Sequence, residues 1–216
     1  MPTTTVVFDL DGTLGDTLPL IYRAFNAALE PEFGHKLSEA EIRKLFGPPD
    51  NHILRRLLPG EAGEAAFQRY LAVYLRDHAE LARVFDGIKD VIDRAKAAGF
   101  HIGVVTGKSR QTALFSLEAF GLLDDFAVIY GGDDVEKQKP DPEAVIKILA
   151  DLGWRAGEPG FFVGDSAADV IAGRAAGLRT IGVTWGSPDH EELFAANPDV
   201  VVHTMAELAA ELGLSQ

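Results

Sequence analysis

One short stretch near the start of the chain, residues 6–16, limits the possible folds more than any other feature. It begins as a continuous run of valine and phenylalanine, which is typical of a strand covered on both faces. Asp9, Asp11 and Gly12 follow directly. In extended geometry the two carboxylates point to the same side, and the glycine lets the backbone approach a ligand closely. One such acid would be explained by a helix cap or a turn, but two at the end of a buried strand favour a bound cation.

The rest of the chain separates into a helical segment and a segment in which helices and strands alternate. Between residues 17 and 82, apolar residues recur at helical spacing and predict about four helices and no strand. Beyond this segment a helix is predicted over residues 189–196, and strands are predicted at residues 101–105, 126–130, 160–164, 180–183 and 200–202. Such alternation with short loops indicates parallel strands with helices on both faces. We therefore predict an α/β fold, a doubly wound parallel sheet from residues 1–16 and 83–216, with an all-helical cap domain inserted at residues 17–82.

Three further groups of polar residues each follow a strand that is predicted for this sheet. They are Thr106, Gly107 and Lys108 after one strand, Lys139 after the next, and Asp165 with Asp169 after the third. Ligands of doubly wound sheets bind beyond the carboxyl ends of the strands. We therefore expect all these residues to meet the two acids of the first strand at one edge of the sheet.

These residue types indicate a site for a phosphate group and a divalent cation. The hydroxyl of Thr106 and the backbone amides that follow it are donors for phosphate oxygens, and a positioned lysine stabilises transferring negative charge. Carboxylate oxygens are the hard ligands that Mg²⁺ prefers. Asp133 and Asp134 are predicted to lie in a loop and are not assigned to the site. Taken singly, each candidate residue has an ordinary explanation, such as a helix cap for Asp165 and a solvated surface for Lys108. Their order after successive strands favours the site.

Residues 9–16 read Asp-x-Asp-Gly-Thr, then an apolar residue, any residue and Asp. This pattern resembles the first motif of the haloacid dehalogenase superfamily. The resemblance implies that Asp9 is a nucleophile that becomes an aspartyl-phosphate and that Asp11 is the general acid and base, which is sound carboxylate chemistry. Asp11 also argues against dehalogenation, because the dehalogenases of this superfamily usually carry tyrosine there.

The remaining three motifs of the superfamily resemble Thr106, Lys139 and the pair Asp165 and Asp169, in the same order along the chain. The resemblance implies that Thr106 and Lys139 hold the transferring phosphoryl group. It also implies a Mg²⁺ site formed by Asp9, Asp165, Asp169 and the backbone carbonyl of Asp11. The superfamily places a helical cap directly after its first motif, so the resemblance covers essentially the whole chain.

The activity implied is that of a Mg²⁺-dependent phosphatase acting on a small phosphorylated metabolite, similar to the phosphoglycolate phosphatase branch. A pyrophosphatase, a sugar phosphomutase and a non-catalytic binding module stay open as alternatives. In the core, substrate contacts are predicted at Thr13, Thr106, Gly107 and Lys108. In the cap, Arg55 and the turn over residues 46–51 are predicted to face the core and select the leaving group.

The charge of the chain restricts its partners. Lys and Arg number 20 and Asp and Glu number 33, so the formal net charge is −13, which disfavours nucleic acid and anionic membranes. A phosphate ester is also an anion, so its site needs local cations or a metal. The absence of cysteine excludes disulfide and thiolate sites, and no apolar run is long enough to span a membrane. We expect a cytoplasmic monomer or homodimer.

Overall fold

The computed structural model describes residues 3–186 and 190–214 of the chain. Its strands are β1 Thr5–Phe8, β2 Gly15–Asp16, β3 Arg83–Val84, β4 His101–Val105, β5 Val128–Tyr130, β6 Gly160–Gly164, β7 Arg179–Val183 and β8 Val200–Val202. Six of them form one sheet in the order β5-β4-β1-β6-β7-β8, and every neighbouring pair in it is parallel. The apolar run of the first motif is therefore a central strand, with β4 on one side and β6 on the other.

The α-helices of the described residues fall into two groups along the chain. Before β3 come α1 Leu18–Phe33, α2 Glu39–Arg43, α3 Asp50–Leu57 and α4 Glu61–Leu81. After it come α5 Ile88–Ala97, α6 Arg110–Ala119, α7 Glu143–Asp151, α8 Ala167–Ala175, α9 Glu191–Ala195 and α10 Met205–Glu211. The predicted helix over residues 189–196 begins outside the described residues. Within the described part of the chain, no helix has the length and apolar character that a membrane crossing requires.

Side chains that alternate along β1 enter two different hydrophobic clusters. Val6 and Phe8 belong to a cluster that also contains Val91 of α5 and Leu117 of α6. Val7, which points to the other face, belongs to a cluster formed with α7 and α8. Both faces of the sheet are therefore covered by helices, and the predicted doubly wound α/β fold is confirmed.

The helices α1 to α4 enclose a third hydrophobic cluster of their own. Its centre contains Phe25, Tyr70 and Tyr74, with ring centroids 5.0 Å apart for Phe25 and Tyr70 and 5.6 Å for the two tyrosines. Ser38 is the N-cap of the short helix α2 and forms a capping box with Glu41. Because this segment buries its own apolar faces, it is consistent with a separate unit, and the division of the chain into two domains stays a prediction.

The two chain crossings between the helical segment and the sheet lie side by side. Gly15 and Asp16 in β2 pair antiparallel with Val84 and Arg83 in β3. This ribbon was not predicted, because strands of two residues carry no periodic pattern. It ties the start and the end of the helical segment together at the last two residues of the first motif.

Candidate active site

The candidate site begins where β1 ends. Asp9 leaves the strand with its backbone amide bonded to the carbonyl of Val163 in β6, at 2.9 Å. The chain then turns, and the amide of Gly12 bonds to the carbonyl of Gly15, also at 2.9 Å. Gly12 has a φ of +78° and lies so close to the Asp165 carboxylate that a Cβ atom would overlap it. The turn therefore needs glycine both for its backbone conformation and for the space it leaves.

Lys139 reaches this turn from the loop after β5. Its ammonium donates hydrogen bonds to Asp9 Oδ1 at 2.9 Å, to Asp169 Oδ1 at 2.6 Å and to the Val105 carbonyl at 3.0 Å. Burial of Lys139 acts to lower its pKa, but Asp169 and Asp9 outweigh this effect and raise the pKa above its ordinary value. The lysine is therefore held as a cation between two buried carboxylates.

Three carboxylates converge on one point beside Lys139. Asp9, Asp165 and Asp169 each place an oxygen within 4.8 Å of the others. Asp169 combines this position with a structural role, because its Oδ2 accepts hydrogen bonds from the amide (3.1 Å) and hydroxyl (2.6 Å) of Ser166 at the start of α8. The N-cap of α8 is therefore Ser166 and not Asp165, while Asp169 in the first turn completes the capping box and still belongs to the site.

Burial and neighbouring carboxylates disfavour the charged forms of two members of this group, Asp9 and Asp165. Burial raises the pKa of Asp9 to about 7, with Asp169 and Asp11 adding to the rise and Lys139 opposing it. Burial, followed by the charge of Asp9, raises the pKa of Asp165 well above its ordinary value. An all-oxygen donor set short of positive charge fits a hard divalent cation such as Mg²⁺.

The second acid of the motif has different neighbours. Asp11 Oδ1 accepts a hydrogen bond from the Thr17 hydroxyl and lies 3.2 Å from the Lys108 ammonium. Lys108 is buried rather than solvated, and its ammonium lies 4.7 Å from the centre of the Tyr74 ring. Burial acts to lower the pKa of Lys108, but Asp11 and Tyr74 outweigh it and raise the pKa. The backbone amide of Lys108 also bonds to the buried Thr106 hydroxyl at 3.3 Å.

A cavity of about 870 Å³ lies between the carboxyl edge of the sheet and the helical segment. From the sheet edge it is lined by Asp9, Asp11, Thr106, Gly107, Lys108, Lys139 and Asp165. From the helical segment it is lined by residues that include Arg43, Lys44, Phe46, Gly47, Pro48 and Asp50. The structure therefore brings most of the predicted core residues together with most of the predicted cap turn, while their chemical roles stay predictions.

Arg55, the cap residue predicted to contact the substrate, is not among the residues that line the cavity. Its guanidinium bonds to Glu64 at 2.9 Å through Nη2 and at 3.2 Å through Nε, and it lies over the ring of Phe67. The buried face of α3 carries Ile53 and Leu54, which directs Arg55 away from the site. The prediction for Arg55 is therefore corrected.

Thr13 is a second correction. Its side chain is fully buried and does not line the cavity. Its hydroxyl has no hydrogen-bond partner among the described residues, and its carbonyl accepts a hydrogen bond from Trp185 Nε1 at 3.1 Å. The motif threonine thus packs beneath the turn, where it cannot reach a substrate in the cavity.

Two basic residues of the cavity wall, Arg43 and Lys44, were missed by the sequence reasoning. Arg43 is the last residue of helix α2, Lys44 follows it, and both precede the Gly47-Pro48-Pro49 turn. Their position just before the predicted cap turn was the available signal. Nothing in their residue types separated them from the other cap cations.

Hydrogen bonds to the core hold the N-terminus of α3 in place. Thr112 of α6 donates to Asp50 Oδ2 at 2.7 Å, and Asn51 donates to Asp133 Oδ2 at 2.9 Å. Asp133, predicted to lie in a loop, belongs to a single 3₁₀ turn, Gly132–Asp134. We call these two contacts the α3 anchor, and they set the end of the cap turn against the sheet edge.

The chain is similar to known proteins in sequence and in fold. A family model described as haloacid dehalogenase-like hydrolase matches residues 6–183. Pyrophosphatase PpaX of Bacillus pumilus is 35% identical over 209 residues, which cover 97% of this chain and 96% of that protein. Phosphoglycolate phosphatase of Yersinia pseudotuberculosis is 33% identical over 219 residues, covering 97% and 93%. The crystal structure of CbbY from Rhodobacter sphaeroides in complex with phosphate superposes with a TM-score of 0.83 at 26% identity, covering 99% of both chains.

Proposed function

We propose that this chain, which belongs to the haloacid dehalogenase-like hydrolases, is a Mg²⁺-dependent phosphatase that forms an aspartyl-phosphate on Asp9. One observation carries the proposal. The paired acids of the first motif line the same cavity as two buried lysines and a third carboxylate, Asp165. The names of two relatives, a pyrophosphatase and a phosphoglycolate phosphatase, support a small phosphorylated metabolite as the substrate.

Asp9 is the proposed nucleophile. Its Oδ1 accepts the hydrogen bond from Lys139, and no hydrogen bond engages its Oδ2 within the described part of the chain. In the proposed first step, Oδ2 attacks phosphorus, the bond from phosphorus to the leaving oxygen breaks, and an acyl phosphate forms on Asp9. One difficult displacement thereby becomes two easier ones. The Lys139 ammonium stands beside the nucleophile, where it stabilises the charge of the transferring group.

Asp11 is the proposed general acid and base. Thr17 and Lys108 both contact its Oδ1, which leaves Oδ2 to exchange a proton. Asp11 gives this proton to the leaving oxygen in the first step and takes a proton from the attacking water in the second. The water oxygen then joins phosphorus, the bond from phosphorus to Asp9 breaks, and inorganic phosphate leaves with both acids restored.

The Mg²⁺ site is proposed at the three converging carboxylates, Asp9, Asp165 and Asp169, together with the backbone carbonyl of Asp11. When bound, the ion supplies positive charge that neutralises phosphoryl oxygens. The Thr106 hydroxyl and the backbone amide after it are the proposed donors for the remaining phosphoryl oxygens.

A sugar phosphomutase is the second candidate, because it would use the same residues to return the phosphoryl group to the substrate rather than to water. Inorganic phosphate released from sugar phosphates distinguishes the two, since a mutase yields an isomer instead. A cytoplasmic location and a monomeric or homodimeric state stay predictions.

The Asp11→Asn variant tests the covalent mechanism, because p-nitrophenolate is a leaving group that needs no proton. With p-nitrophenyl phosphate and Mg²⁺, this variant should still form the acyl phosphate but should hydrolyse it about 100-fold more slowly or worse. Mass spectrometry of the acid-quenched protein should therefore detect phosphorylated chain. Asp9→Asn is the matched control and should yield neither phosphorylated protein nor free phosphate. Near-normal phosphate release by Asp9→Asn would refute the mechanism.

A further inference from the structure

The cations that line the cavity differ in whether a carboxylate already neutralises them. Lys139 is bound by Asp9 and Asp169, and Lys108 is bound by Asp11. Arg43 and Lys44 line the same cavity from the helical segment and form no ion pair within the described part of the chain. Although the chain has a net charge of −13, these two cations therefore give the helical side of the cavity a positive charge.

Arg43 is also held in a defined orientation. Its Nε donates a hydrogen bond to the Tyr22 hydroxyl at 2.5 Å, and the guanidinium carbon lies 5.7 Å from the centre of the Tyr22 ring. Tyr22 is itself buried in the hydrophobic cluster of the helical segment. This contact uses one nitrogen of Arg43 and leaves its two terminal amino groups without an acceptor among the described residues. The half-buried guanidinium thus offers donor groups of the kind that bind carboxylates and phosphates in a bidentate manner.

We propose that Arg43 binds a second anionic group, a carboxylate or a phosphoryl group, on the leaving-group side of the substrate. The inference rests on the proposed function, since it takes the reacting phosphate to lie beside Asp9 and Lys139. The second anion then extends from the sheet edge toward the helical segment, across the cavity that residues of both parts line. Lys44 is exposed, so it adds general positive charge without a fixed geometry.

The test compares the Arg43→Ala variant on substrates with and without a second anion. We expect its kcat/KM to fall roughly 10- to 100-fold for phosphoglycolate and pyrophosphate, the range for losing a hydrogen bond to a charged group. The fall for p-nitrophenyl phosphate should be at least tenfold smaller, because that leaving group carries no second anion. Arg43→Lys should recover little, because an ammonium lacks the planar fork. Tyr22→Phe should give an intermediate loss on the anionic substrates alone.

Two variants serve as controls for charge. Arg55→Ala removes a cap arginine that pairs with Glu64 outside the cavity, and it should behave as the wild-type protein on all three substrates. Lys44→Ala removes an unpaired cation without fixed geometry, and it should cost less than Arg43→Ala. An equal loss for Arg43→Ala and Lys44→Ala would overturn the proposal in favour of general attraction. An equal loss for Arg43→Ala on all three substrates would overturn it as well.

A binding measurement separates this inference from the proposed function. Methylenediphosphonate, a diphosphate analogue that cannot be hydrolysed, is titrated calorimetrically into each variant with excess Mg²⁺. If the wild-type protein releases phosphate from no substrate, the proposed function fails and the binding data decide the inference. Binding that is roughly 10-fold or more weaker in Arg43→Ala than in Arg55→Ala supports the anion subsite. Equal binding by the two variants overturns it.

Discussion

Replacing Lys139 with methionine should destabilise the protein strongly when divalent cations are absent. Methionine keeps most of the aliphatic volume, so the change removes mainly the ammonium. The lysine side chain is 8% exposed, and its partners Asp9 and Asp169 are 10% and 1% exposed. Without the ammonium, both carboxylates stay buried and lose their counter-charge.

The expected size follows from this burial. Removing one partner of a buried ion pair typically costs 3–5 kcal/mol, because the remaining charge stays unsolvated. We expect about 4 kcal/mol for Lys139→Met, which corresponds to a fall of about 8–16 °C in Tm for a chain of this size. Adding Asp169→Asn should restore part of this loss, since the amide removes one uncompensated charge.

The measurement is urea and thermal unfolding in excess chelator, followed by circular dichroism. Lys137→Met is the matched control, because Lys137 is 72% exposed and lies 3.9 Å from Asp141. This control should unfold with the wild-type midpoint. A loss below about 1 kcal/mol for Lys139→Met, or a double variant whose losses simply add, would show that the ammonium does not hold the site together.

Two further predictions concern the metal and the turn of the first motif. Phosphate release should stop in excess chelator and return with Mg²⁺, while Ca²⁺ should inhibit because its looser shell misplaces the phosphorus; full activity in chelator would contradict the metal assignment. Gly12→Ala should lower kcat for p-nitrophenyl phosphate by about 100-fold, because the new Cβ displaces the Asp165 carboxylate and a φ of +78° strains alanine. A kcat within threefold of the wild-type value would contradict that reasoning.

The edge of the sheet is the part of the molecule that sequence reasoning predicts well. Each strand end is marked twice in the sequence, by the close of an apolar run and by the polar residues that follow it. Parallel strands bring those ends together, so the convergence of Asp9, Lys139 and Asp165 follows from topology. The inserted helices are predicted for the same reason, since α1 and α4 are long enough to display a period.

The cap side of the cavity is predicted poorly because its geometry depends on tertiary packing. Helix α2 has five residues and is too short for a helical period to define a buried face. The sequence therefore does not predict which way the Arg43 side chain points. Arg55 lies in a helix of eight residues whose buried Ile53 and Leu54 turn it outward. The β2–β3 ribbon is missed because two-residue strands carry no pattern. Such features depend on contacts between residues distant in the chain.

The α3 anchor has a consequence for the exchange of helical segments between related enzymes. The cap turn ends at Asp50 and Asn51, but the groups that position it, Thr112 and Asp133, belong to the core. A chimera that receives only the helical segment would leave Oδ2 of the buried Asp50 carboxylate without its donor whenever the host lacks a hydroxyl at the position of Thr112. Transfer of the helical segment alone would then not transfer its preference for a leaving group. The smallest set of residues to transfer is the helical segment together with Thr112 and Asp133, because these two residues hold the cap turn against the sheet edge.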